Sequence, residues 1–309
     1  MKTISLIIPF FNEEESVESF FNEINMVVSK IDIDINFEFI CVDDGSTDDT
    51  IEKLIFNQKN DQRIKVIELS RNFGKEAALT AGIYESSGDA IIPIDADLQD
   101  PPELISQMIE KWLQGYEVVL AKRENRESDS FFKRITANFF YKIHNNLSTI
   151  KIPSNVGDFR LLDKSVVQEL KKLPENQRFM KGLFAWVGFK SATIYYTRTP
   201  RAKGRTKFSS LKLINLAIEG ITSFSTAPLR IFSYLGFFGV TITSLYACII
   251  LFQYFLYGIP VKGYTSIMIS VLFLGNLQLM GIGILGEYLG RTYIESKRRP
   301  IYIIRKIYK

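Results

Sequence analysis

The chain has 309 residues, 46% of them hydrophobic and 23% charged, with a formal net charge of +4. That length allows more than one domain, and so small a charge gives no reason to expect a nucleic-acid partner. Two cysteines, Cys41 and Cys248, and a single histidine, His144, exclude a disulfide framework and a Cys/His zinc site.

In chain order, short apolar runs alternate with helical patterns. Strands are predicted at Ser5–Pro9, Phe37–Val42, Ile64–Leu69, Ala90–Ile94 and Val118–Ala121. Helices are predicted between them at Glu14–Val28, Thr50–Gln58, Lys75–Ser87 and Pro102–Gln114. This alternation predicts an α/β domain around a mostly parallel sheet. Ligands in such sheets bind beyond the carboxyl ends of the strands. The polar clusters "PFFNEEE", "DDGSTDDT", "SRNFGKE" and "DADLQD" all fall at those ends. Two later stretches are amphipathic: Phe132, Ile135, Phe139 and Ile143 share one helical face, and Leu211, Ile214, Ile218 and Ile221 another. Each face fits either a membrane interface or packing on the domain core.

From Ile231 to Val261, and again from Gly263 to Gly286, there is no Asp, Glu, Lys or Arg. A helix needs roughly 20 apolar residues to cross a bilayer core, so a two-helix transmembrane hairpin is expected, at 231–256 and 264–288. Basic residues flank it (Arg230, Arg291, Lys297, Arg298, Arg299), and only Lys262 lies between. The positive-inside bias then puts both termini and the large N-terminal domain in the cytoplasm, in a multi-pass membrane protein. The opening "MKTISLIIPFFNEEE" is too short an apolar stretch for a secretory signal. The expected organisation is a cytoplasmic α/β domain at 1–210, an amphipathic juxtamembrane helix at 211–229, the hairpin at 230–290 and a basic cytoplasmic tail at 291–309.

The chemistry concentrates in "PIDADLQDPPE". If the chain stays extended, Asp95, Asp97 and Gln99 point the same way, and their hard oxygens suit Mg2+ or Mn2+ with substrate phosphates. Asp100, before Pro101 and Pro102, reads as the cap of the next helix. Lys75, Arg123, Arg201, Arg205 and Lys207 could balance a bound diphosphate. The basic stretch "RTPRAKGRTKFSS" fits closure over that diphosphate, attraction to anionic lipid head groups, or both. No G-x-S-x-G, H-E-x-x-H or Walker motif appears.

The motifs "PFFNEEES", "VDDGSTDDT", "RNFGKEAAL", "DADLQDPPE", "NVGDFRLLD", "FMKGLFAWVG", "EGITSFSTAPLR" and "GEYLGRTYIE" run from Pro9 to Glu295. Together they resemble family 2 glycosyltransferases of the GT-A fold. The resemblance is to the polyprenyl-phosphate branch: dolichol-phosphate mannose synthases and, more closely, bacterial bactoprenol glucosyltransferases. One departure is Thr206 in "RAKGRTKFS", where that family usually has Ser. The resemblance implies roles. Pro9, Phe11, Glu13, Val42 and Asp44 would hold the nucleotide base and ribose. Asp95 and Asp97 would form the D-x-D pair, with Asp97 and Gln99 nearest the metal. Arg123 would contact phosphate, and Arg201 and Lys207 would close over donor and acceptor. Asp158 would lie near the sugar or acceptor, although on residues alone Asp158 and Arg160 fit a structural ion pair equally.

The expected reaction is inverting transfer of a hexose, glucose first among the candidates, from a UDP-sugar to undecaprenyl phosphate. The expected partners are the two substrates and the membrane, with a homo-oligomer, a flippase and a second glycosyltransferase downstream. Galactose, N-acetylglucosamine, mannose or aminoarabinose would be alternative sugars. A processive polysaccharide synthase would need a Q-x-x-R-W motif that "NQRFMKG" lacks, and a nucleotide-sugar-binding scaffold would bind donor without turnover.

Overall fold

The computed structural model describes residues 1–124, 153, 155–176, 178–197 and 263–309, with scattered positions between 232 and 256. His144, Arg201, Arg205, Lys207 and both amphipathic stretches expected at 132–143 and 211–221 lie outside the described residues. The elements run β1 (Lys2–Phe10), α1 (Val17–Ser29), β2 (Ile35–Asp43), α2 (Thr50–Asn60), β3 (Ile64–Leu69), α3 (Lys75–Glu85), β4 (Ala90–Pro93), α4 (Leu104–Leu113) and β5 (Val118–Arg123). After these come β6 (Val156–Asp163), α5 (Lys164–Lys172), α6 (Met180–Trp186), β7 (Ser191–Tyr196), α7 (Tyr264–Ser296) and β8 (Ile304–Tyr308).

One eight-stranded sheet has the order β7-β5-β6-β4-β1-β2-β3-β8. β1 pairs in parallel with β2 and β4, β2 with β3, and β5 with β7. β6 and β8 run antiparallel to their neighbours, so the sheet is mostly parallel, as expected. Being central, β1 is buried on both faces and reads as a continuous apolar run. Pro9 is tolerated there because pairing with β4 stops at Ile7, where no partner calls on the missing N–H.

Helices cover both faces. On one, α1 buries Val17, Phe20, Phe21, Ile24 and Val27, an i, i+3, i+4, i+7 stripe, and α4 adds Met108, Ile109 and Trp112. On the other, α3, α5 and α6 bury Ala78, Ala81, Val166, Leu170, Met180 and Leu183. Asp163 ends β6 and caps α5, accepting from the Ser165 N–H at 2.8 Å. α3 lies close against the sheet through small residues. A Cβ on Gly82 would run into the Ile7 side chain of β1 and stand 3.3 Å from a Val42 methyl.

The strip expected as a basic tail is not one. α7 extends to Ser296, and residues 304–308 return to the sheet as β8, beside β3. Arg305 bonds Glu68 at 3.0 Å and the Tyr308 hydroxyl donates to Glu68 at 2.9 Å. Charges on an edge strand protect it from further pairing, and those charges hide the strand in the sequence. Although α7 runs for 33 residues, no helix among the described residues is long and apolar enough to cross a membrane. The span expected at 231–256 lies partly outside them.

Because Ile7 is β-branched and sits mid-sheet, it has little room to yield to an added methyl group. Gly82→Ala is expected to cost about 1–3 kcal/mol by overpacking, read as a lower midpoint in urea unfolding with an unchanged slope.

Candidate active site

The carboxyl ends of β1, β2, β3 and β4 do converge. After β1, Asn12 takes a left-handed conformation at φ 52°. Its amide oxygen accepts from the Thr47 N–H at 2.8 Å, and its own N–H donates to the Ser46 hydroxyl at 3.0 Å. Gly45, at φ +68°, lets the β2 loop press against the backbone of Arg71 and Asn72, where a Cβ would collide. That approach brings the Asp44 carboxylate to the N–H groups of Phe73 (2.7 Å) and Gly74 (2.9 Å). The sequence "DDG" thus serves as a clamp on "NFGK", and the clamp sets the start of α3.

Lys75 is the first residue of α3 and reaches across the edge. Its ammonium stands 2.6 Å and 2.8 Å from the two oxygens of Asp95 and 3.0 Å from Asp158 Oδ2. Burial works against that ammonium, but the charges of Asp158 and Asp95 outweigh burial and raise the lysine above its ordinary value. Asp158, on β6, is the better buried partner, with a 15% exposed side chain against 42% for Lys75. Burial opposes its charge too, yet Lys75, Lys181 and Arg160 hold its carboxyl well below the usual carboxylate range. Its second oxygen, Oδ1, is buried and has no hydrogen-bond partner among the described residues. Asp158 thus pairs with Lys75, and the charge of Arg160, the partner considered for it, acts on it as well. The Arg160 guanidinium donates to the Gly157 carbonyl and lies 4.4 Å from the Phe184 ring centroid.

The loop after β4 is not extended. The Leu98 N–H turns back to the Asp95 carbonyl at 3.4 Å, and Leu98 has φ 51°. Asp95 and Asp97 therefore do not share a strand face. Asp95 faces Lys75, and Asp97 Oδ1 accepts from the Gln99 N–H at 3.2 Å. No group of three or more acidic, His or Cys side chains forms a metal cage among the described residues. The donors that suit a hard cation are the oxygens of Asp97 and Gln99. Asp95 already has both carboxylate oxygens against the Lys75 ammonium.

Asp100 does not cap α4, which begins at Leu104 after Glu103. It is buried and accepts from the Tyr196 hydroxyl at 2.5 Å, while the Arg123 side chain reaches that hydroxyl at 3.1 Å and Asp100 at 3.5 Å. Arg123, expected to contact phosphate, thus ties the ends of β5 and β7 to the loop after β4. Burial, together with Asp100, pushes the Tyr196 phenol up to about 12. Val42, expected at the nucleotide base, is fully buried in the layer beneath α3, so its side chain packs and offers no recognition surface. Pro9 and Phe11 flank the end of β1 at the site edge, and the Glu13 carboxylate accepts from the Ser16 hydroxyl at 3.0 Å.

Sequence reasoning gave no role to Glu76 or Lys181. α3 meets α6 here: the Met180 N–H faces Glu76 Oε2 at 3.4 Å. The only signals were their places in "RNFGKEAAL" and "FMKGLFAWVG". Burial first, and then the charge of Asp158, pushes Glu76 up to about 8 from an ordinary 4.5. A raised carboxyl favours the folded state while protonated, so this contribution is lost as pH rises from 4.5 to 8. Glu76→Gln is expected to melt level with the parent near pH 4.5 and increasingly above it as pH rises to about 8, beyond which the gap levels off, checked by thermal unfolding across that range.

The sequence model of the family described as Glycosyl transferase family 2 matches residues 5–171. The bactoprenol glucosyl transferase of Shigella phage SfV is 49% identical over 302 residues, covering 98% of this chain and 98% of that protein. The prophage bactoprenol glucosyl transferase homolog of Escherichia coli (strain K12) is 47% identical over 306 residues, 99% of both. Among solved structures, glucosyl-3-phosphoglycerate synthase from Mycobacterium tuberculosis, in complex with Mn2+, UDP-glucose and phosphoglyceric acid, is 21% identical with a TM-score of 0.48. That likeness covers 72% of this chain and 78% of that one. With a family match across more than half its length and relatives nearly half identical from end to end, the chain belongs to glycosyl transferase family 2 and is a glycosyltransferase.

Proposed function

We propose that the protein transfers glucose from UDP-glucose to bactoprenol (undecaprenyl) phosphate, with inversion, at the cytoplasmic face of a bacterial inner membrane. The observation that carries this reading is the likeness to bactoprenol glucosyl transferases along 98% of both chains, which includes the apolar C-terminal part as well as the sheet. A nucleotide sugar is water-soluble and the acceptor is a lipid, so the site must work at a membrane surface. The charge-free runs at 231–261 and 263–286 favour contact with that surface, and the return of residues 304–308 to the sheet fits a hairpin whose two ends lie on one side.

A phosphate monoester has its second pKa near about 6 and is largely dianionic at neutral pH. Its oxygen can attack the anomeric carbon without losing a proton. The bond from that carbon to UDP breaks, and its electron pair leaves with the diphosphate. Asp158 suits this scheme: held ionised by Lys75, it is a poor proton acceptor and a good electrostatic partner for the sugar. The difficulty lies in bringing two anions together, so positioning and preorganised charge must supply most of the rate. Asp97 and Gln99 would hold Mg2+ or Mn2+, and such a cation would neutralise charge on the departing diphosphate. Lys75 keeps Asp95 and Asp158 from repelling the donor. Arg201 and Lys207 are assigned to closure over the diphosphate, and the subunits to a homo-oligomer. The lipid-linked product then needs a flippase and a second glycosyltransferase.

Asp97→Asn is expected to fold normally and lose roughly a hundredfold in transfer, assayed with purified protein, UDP-glucose and undecaprenyl phosphate. Full activity of that variant would remove Asp97 from the mechanism. Chelation should abolish transfer and added Mg2+ or Mn2+ should restore it. Asp158→Asn is expected to fall well short of the roughly hundredfold or larger loss that removing a general base brings. The sugar is checked by presenting a panel of nucleotide sugars and analysing the lipid product.

A further inference from the structure

The loop from Asp95 to Asp100 carries the oxygens of Asp97 and Gln99, and its two ends are held in different ways. The near end is fixed by backbone, charge and packing. The Ile94 N–H donates to the Ile7 carbonyl at 3.0 Å, Asp95 is held by Lys75, and the Ala96 side chain is buried in the core. The far end has fewer backbone means of being fixed. Asp100 is followed by Pro101 and Pro102, which have no N–H to donate. The carbonyls of those prolines accept from the Leu104 and Ile105 N–H groups that open α4, at 3.2 Å and 3.0 Å.

A side-chain bond holds that end. Asp100 is 4% exposed and accepts from the Tyr196 hydroxyl at 2.5 Å. Tyr196 is the last residue of β7, and its ring is buried in the cluster that contains Ala96, Ala121 and Phe159. The parallel register of β5 and β7 sets Arg123 beside it, and the Arg123 Nε–H donates to the tyrosine oxygen at 3.1 Å. A guanidinium can only donate, so it keeps the hydroxyl proton on the side of Asp100. From β6, a Cβ on Gly157 would stand 3.6 Å from the Arg123 guanidinium and 4.0 Å from Asp100 Oδ2. Strands β5, β6 and β7 thus close around one carboxylate of the loop after β4.

We propose that Tyr196 is a positioning residue for the divalent cation: its hydroxyl holds Asp100, and Asp100 holds the far end of the loop that presents Asp97 and Gln99. The proposal rests on the reading of Asp97 and Gln99 as the protein's ligands to that cation. Gln99 adjoins Asp100 directly, so slack at Asp100 is passed to the ligand oxygens. Mg2+ in particular demands near-ideal placement of its oxygens, and groups that orient ligands without touching the metal govern its affinity.

The test uses the full chain in detergent micelles with UDP present and no acceptor. Mn2+ is the probe, its binding followed by electron paramagnetic resonance of the free ion. Tyr196→Phe keeps the buried ring and removes only the hydroxyl. It is expected to weaken Mn2+ binding roughly tenfold, with UDP affinity at saturating Mn2+ unchanged. In transfer assays the Mn2+ concentration giving half the maximal rate should rise by a similar factor, and saturating Mn2+ should recover most of kcat. Asp100→Asn keeps an oxygen that can accept from the hydroxyl and should bind Mn2+ more tightly than Asp100→Ala. A role confined to stability would instead lower the unfolding midpoint of Tyr196→Phe and leave its Mn2+ affinity like the parent's. That result would overturn the proposal, as would equal losses in the two Asp100 variants or a loss of UDP affinity that saturating Mn2+ does not recover. Failure of the parent protein itself to bind Mn2+ beside UDP would reject the cation reading, and the positioning role with it.

Discussion

Negative charge crowds the carboxyl edge of this sheet, and Lys75 makes that crowding tolerable. Its ammonium bridges Asp95 from the loop after β4 and Asp158 from β6. Without it, two carboxylates contributed by non-adjacent stretches of chain would repel across a partly buried cleft. The lysine is in turn placed by the Asp44 clamp on Phe73 and Gly74, which fixes where α3 begins. The site is therefore organised from the backbone outwards: a left-handed Gly45, a clamped loop, a helix start, and then the bridging ammonium.

The two faces of the sheet divide the work. On the α1–α4 face the core is aromatic and aliphatic, with large side chains such as Phe20, Phe39 and Trp112. On the α3–α6 face the residues against the sheet are small, with Ala78, Ala81 and Gly82 bringing α3 close to β1 and β2. Close packing there serves the chemistry, since α3 carries Lys75 and Glu76 at its start. Movement of α3 would shift the ion pair with it.

The first 123 residues were legible because each element was punctuated. Apolar runs bounded by polar clusters read as buried parallel strands, and the observed β3 coincides with the expectation at Ile64–Leu69. Later strands were hidden by charge. β6 interrupts its apolar pattern with Asp158 and Arg160, and β8 carries Arg305 and Lys306 on an edge. In the site, the residue types and their edge were readable, but their partners were not. Whether Asp95 looks towards Asp97 or towards Lys75 depends on a turn at Leu98 that an assumption of extended chain could not supply. Asp100 was misread for a related reason: prolines next to an acid mimic a helix cap, while the hydroxyl that claims it, on Tyr196, lies 96 residues away.

The pairing of β8 with β3 joins positions 237 residues apart, as the Arg305–Glu68 bond records. While the polypeptide is being made, the outer rim of β3 has no neighbour until nearly all of the chain has left the ribosome, after both charge-free runs have emerged. Closure of the sheet by β8 therefore has to follow synthesis of both charge-free runs. Nascent chains stalled before that point would expose an open β-edge of the kind that quality-control factors recognise.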